Sequence, residues 1–201
     1  MFDRRRFADR SVPLDVATRL DHSLPTTGRV GERGLLRLGA ALGLVGWTGT
    51  AILARLDAPA AGHLALGWWT LPVAGMVYAI GRHAANPVRF STPLFGWGVL
   101  NGTATTVTLW AVAVDAPTGT IPLVWLADLA LGYAWTAVAL GRAGQPGRTR
   151  GYATAALACA VAVGLGYTGV TGGDVGGYPV VATLHVVPLA LDARGLGRRR
   201  A

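Results

Sequence analysis

TIPLVWLADLALGYAWTAVALGR, residues 120–142, holds a single charged side chain, Asp128, before it closes on Arg142. A hydrocarbon core of about 30 Å is crossed by roughly 20 helical residues at 1.5 Å each. This stretch has that length, and its apolar residues do not alternate with polar ones as a membrane barrel strand would require. It therefore predicts a membrane-spanning helix over about 120–141. Five further apolar stretches share its character, at about 35–55, 62–81, 93–114, 151–171 and 177–193. The expected fold is all-α: an integral membrane bundle of six transmembrane helices.

Composition agrees. Hydrophobic residues make up 52% of the 201, charged residues only 14%, and mean hydropathy is +0.43. A soluble domain carries about 25% charged residues. One membrane domain over 35–193 accounts for nearly the whole chain. Residues 1–34 form an N-terminal tail and 194–201 a basic C-terminal tail.

The net charge is +8 and every basic side chain is arginine. The arginines cluster before the first stretch, after the second, after the fourth and after the last; only Arg55 falls in the other gaps. The connections around Asp57-Ala58-Pro59, Asp115-Ala116-Pro117 and Gly172-Gly173-Asp174 are short and carry one aspartate each. By the positive-inside rule both termini are expected in the cytoplasm of a multi-pass cell-membrane protein. Nucleic acid is not an expected partner, because binding it needs one folded basic face. Short connections also predict three antiparallel hairpins. Arg4-Arg5-Arg6-Phe7 resembles a twin-arginine export pattern, but Asp9, Pro13, Asp15, Asp21 and Pro25 separate it from the first apolar run. It is read as part of an uncleaved cytoplasmic tail. Leu14, Ala17, Leu20 and Leu24 within that tail approximate one helical face suited to the membrane surface.

Helices in lipid associate through close packing of small residues. Gly39, Gly43, Gly46 and Gly49 offer such a face on the first span. The fifth, rich in Ala and Gly, is expected inside the bundle or against a homo- or hetero-oligomeric partner. Trp68, Trp69 and Trp110 fall near the outer ends and Trp97 near an inner end, as interfacial anchors do; mid-span Trp47 is read as a packing residue. Asp57-Ala58-Pro59 opens a segment closing on Gly81-Arg82, and Asp115-Ala116-Pro117 one closing on Gly141-Arg142, a weak internal repeat.

Ionisable groups at membrane depth are unfavourable, by at least ~2.5–3.5 kcal/mol for a central aspartate. Asp128, His185 and Asn101 are therefore the candidate intramembrane polar site. One reading has them line a cavity that holds a small solute or relays a proton. In the other, Asn101 and Thr103, Thr105, Thr106 and Thr108 bond to backbone carbonyls, His185 satisfies Asp128, and nothing passes. The residues favour local bonding for Asn101 and the threonines and do not divide the two readings for Asp128. Arg55 is a rival partner for Asp128, and Asp192 is read as solvated. No metal or cofactor is expected: the four histidines have no ligand spacing, Cys159 is alone, and no lysine closes a phosphate loop. The expected function is non-enzymatic: a small-solute binding or transport component, or an accessory membrane subunit. The alternatives are an intramembrane enzyme using His185 and Asp128 as acid–base groups and a purely structural subunit.

Overall fold

The computed structural model describes residues 30–56, 60–84, 86–117, 119–168 and 177–198. The surface helix expected near Leu14–Leu24, the loops at Asp57 and Asp174, and the last residues of the basic tail lie outside these. Within the described residues the chain is all-helical: α1 (Glu32–Leu56), α2 (Ala61–His83), the single turn α3 (Asn86–Arg89), α4 (Thr92–Ala113), α5 (Thr120–Arg142), α6 (Pro146–Tyr167) and α7 (Gly177–Arg198). The Ser91 hydroxyl caps α4 by accepting from the Leu94 N–H. Gly144 (φ 67°) supplies the left-handed turn between α5 and α6.

Four helical segments are both long and apolar enough to cross a membrane: Glu32–Leu56, His63–His83, Thr120–Arg142 and Gly177–Leu196. The remaining two long helices, α4 and α6, have 22 residues each, about 33 Å of helix. Asn and Thr in α4, and Arg and Gly in α6, dilute their apolarity. The outside of the bundle is apolar, with Leu71 81% and Phe95 71% exposed beside Leu157, Val77 and Leu131. Water would not tolerate so much continuous apolar surface on a monomer. The protein is membrane-embedded.

The helices alternate in direction. At one end the starts of α1 and α6 meet the end of α7 through Arg148, Glu32 and Asp192. Val30 N–H bonds the His83 carbonyl there, and Trp135 of α5 reaches the Thr92 carbonyl of α4. Arg33, Arg37, Arg82, Arg89, Arg142 and Arg150 sit at this same end, which we call the arginine end.

Pairing departs from three equal hairpins. α1 lies between α2 and α7, and α5 between α4 and α6, while α6 and α7 touch each other less. The row of small residues on α1 explains half of this. Gly39 and Gly43 face Leu189 and His185 of α7, whereas Gly46 and Gly49 face the Trp69 and Trp68 rings of α2. A methyl at Gly43 would meet His185 Cδ2 at 2.8 Å. The Ala-rich α6 is not interior. It buries Tyr152, Ala155, Cys159 and Ala162 against its neighbours and leaves Leu157 and Val161 exposed. The interior helix is α5, whose Leu126, Leu129, Tyr133 and Leu140 supply bulk that alanines lack. α6 starts at Pro146, five residues before the predicted 151, and α7 runs past 193 to Arg198. Both extensions are polar turns, invisible to an apolar count, and Arg148 in the first of them bonds Asp192, two residues before the second begins.

Candidate functional site

Trp47 of α1 stands at the centre of the bundle. Its ring meets Trp69 edge-on at 5.0 Å and Trp125 at 5.4 Å, and stacks at 6.4 Å on Tyr178. Its Nε1 donates to His185 Nδ1 at 3.2 Å. On either side of it the same contact occurs twice. Thr50 Oγ1 donates to the Gly46 carbonyl (2.9 Å) and accepts from Trp69 Nε1 (3.1 Å). Thr108 Oγ1 donates to the Ala104 carbonyl (2.8 Å) and accepts from Trp125 Nε1 (3.1 Å). A hydroxyl can do both at once, one proton given and one lone pair filled. Thr50 precedes Asp57 by the same seven positions as Thr108 precedes Asp115. The weak sequence repeat thus has a structural counterpart in hairpins α1–α2 and α4–α5, each tied by one threonine and one tryptophan.

Between these hairpins α2 and α4 barely touch, and a cleft of about 410 Å³ opens there. Trp47, Thr50, Trp69, Thr105, Thr108 and Trp125 are among its walls. Trp69 was expected at the membrane surface and instead turns inward to Thr50. Trp97 likewise donates to Thr136 in the bundle at 3.0 Å. An indole N–H buried in apolar surroundings takes any acceptor within reach, and these threonines supply it. Trp68 and Trp110 remain exposed at 43% and 62%.

Among the described residues no hydrogen bond links the three candidate polar residues to one another. His185 is bound to Trp47, and the Tyr133 hydroxyl donates to the Leu184 and His185 carbonyls at 2.9 and 3.0 Å. Asn101 donates Nδ2 to the Trp97 carbonyl at 2.7 Å, and Thr103, Thr105, Thr106 and Thr108 each bond the carbonyl four residues back. Asp128 is 5% exposed, and among the described residues neither carboxyl oxygen has a hydrogen-bond partner. His185 therefore does not satisfy it, and exposed Arg55 does not reach it. The geometry of α5 explains the separation. Tyr133 looks toward α7, and Asp128, five residues earlier at 100° each, lies about 140° around the helix. Asp128 shares its face with Trp125, Gly132 and Thr136, which meet α4. The antiparallel register set by the Trp125–Thr108 and Trp97–Thr136 bonds puts Asp128 level with Ala104 and Thr105 on α4.

A polar centre that composition did not flag lies at the arginine end. Arg148 of α6 makes a two-point contact with Asp192 of α7 (2.7 and 2.5 Å) and a third bond to Glu32 of α1 (2.6 Å). Tyr152 donates its hydroxyl to the same Asp192 at 2.8 Å. Asp192 is thus paired and not simply solvated. The signal available beforehand was an acid following an apolar run on a chain poor in acids. Among the described residues no three His, Cys, Asp or Glu side chains converge on a metal position. The chain matches no family model, no curated protein and no solved structure.

Proposed function

We propose that this protein is a six-span membrane protein, with both termini in the cytoplasm, that binds a lipophilic small molecule in the cleft between its two threonine–tryptophan hairpins and acts as a non-enzymatic binding or transport component. The observation that carries the reading is the cleft itself. Its size lies in the range of ligand pockets. Its walls are indole and aliphatic carbon with a few hydroxyls, and threonines already engaged with their own backbone offer little to a strongly polar solute. A molecule reaching it between α2 and α4 arrives from lipid. Six alternating helices of membrane length, with arginines gathered at one end, support the topology. Acid–base chemistry has no comparable support, since His185 and Asp128 share no bond.

The test is native mass spectrometry of the full chain, purified in mild detergent from its own membranes, with identification of any small molecule carried along. The wild type is expected to carry one lipophilic ligand, and Thr105→Phe, which fills the cleft from α4, to lose it. His185→Ala removes the acceptor that orients Trp47 and is expected to weaken retention roughly fivefold, the weight of one hydrogen bond of about 1 kcal/mol. A wild type that carries nothing, or a Thr105→Phe variant that retains the ligand fully, refutes the reading.

A further inference from the structure

A second recess lies on the opposite flank, between α6 and α7. Because α6 leans on α5 and α7 on α1, the two helices part and leave a groove of about 590 Å³. Gly151, Ala155 and Ala158 form its floor on α6, and Leu184, Val187 and Leu191 its wall on α7. Val187 and Leu191 are exposed, so the wall is apolar and uncovered. Pro188 lies inside α7 beside the groove. The groove ends at the arginine end against Arg148 and Asp192, whose charges are already paired.

From Gly147 to Ala158 the groove follows eleven helical rises, about 16 Å. That is about half of a ~30 Å hydrocarbon core. A helix of a second copy would need a track across the whole membrane, whereas one leaflet's acyl chain needs half. The rim adds charge. Arg150 stands four residues before groove-lining Thr154, and Arg194 three residues after groove-lining Leu191, spacings that share a helix face. Both guanidinium residues are exposed, and among the described residues neither has an ion-pair partner. Glu32 and Asp192 together exceed Arg148 by one negative charge, and Arg150 and Arg194 outweigh that excess.

We infer that the α6–α7 groove is a binding site for one anionic phospholipid of the leaflet at the arginine end. Its acyl chain lies along Gly151, Ala155 and Ala158, and its phosphate meets Arg150 and Arg194. This site is independent of the tryptophan-walled cleft.

The full chain in mild detergent is offered equal amounts of dioleoyl-phosphatidylglycerol and dioleoyl-phosphatidylcholine, and bound lipid is counted by native mass spectrometry. The wild type is expected to hold one phosphatidylglycerol in preference. The double variant Arg150→Gln/Arg194→Gln, which touches only exposed side chains, is expected to lose roughly 30-fold of that preference, the weight of two surface arginines. Ala158→Phe fills the groove and is expected to lose the tight lipid whatever its headgroup, with its helical circular dichroism unchanged. Equal retention of the two lipids by the wild type overturns the inference, as does an unchanged preference in the arginine variant. A dimer that Ala158→Phe abolishes also overturns it, by making a second copy the occupant.

Discussion

Asp192→Ala tests the reading that Arg148 clasps three helices. Arg148 and Asp192 have side chains only 8% and 9% exposed, while Glu32 is 45% exposed. Removing the Asp192 carboxylate takes away two hydrogen bonds from Arg148 and one from Tyr152. Hydrogen bonds to charged groups contribute about 1.5–3 kcal/mol each, and a buried ion left without its partner is penalised by about 3–5 kcal/mol. Glu32 remains on Arg148, and water at the helix end reaches part of the site, so the lower figure applies: a loss of about 3 kcal/mol. Glu32→Ala leaves the Asp192 contact whole and removes a half-exposed pair, for which under ~1 kcal/mol is expected. Arg148→Met/Asp192→Leu replaces the charges by apolar groups of similar volume and is expected to fall nearer the wild type than Asp192→Ala does. The assay is unfolding of the full chain in detergent micelles by titration with sodium dodecyl sulfate, followed by far-ultraviolet circular dichroism. If Glu32→Ala destabilises as much as Asp192→Ala, or if neither differs from wild type, the clasp has no energetic content and the argument fails.

Three other substitutions address the bundle interior. Thr50→Val and Thr108→Val each remove the acceptor of one buried indole N–H, and each is expected to lower stability by about 1–2 kcal/mol in the same titration; a large effect at one site and none at the other would break the equivalence of the two hairpins. Asp128→Leu removes a carboxyl group that has no hydrogen-bond partner among the described residues, so stability is expected to equal or exceed that of the wild type. A loss above ~1 kcal/mol would instead show that Asp128 holds a bond across the α4–α5 seam.

The helices were legible in the sequence because twenty apolar residues in a row admit few other uses. Five of the six predicted starts lie within three residues of the observed ones, and the exception, α6, begins with a polar turn that hydropathy cannot see. The glycines of α1 were recognisable as a close-packing row, but not which neighbour each would receive. That depends on two different helices arriving at one surface. The candidate site was less legible. Residue type alone singled out Asp128, His185 and Asn101, each unusual at membrane depth. Whether such residues meet depends on angles around helix axes and on register between helices, and neither is written in spacing along one chain. Trp69 reads as an interfacial anchor until Thr50 is found beside it.

Solvent and helical class were settled by the chain itself, since an unpaired backbone in lipid leaves no alternative to helices for runs this apolar. Partnership was settled only in three dimensions. Asp192 became the hub of a clasp, Asp128 stayed alone, and His185 went to Trp47, because a side chain bonds to whatever the packing of distant helices places within about 3 Å.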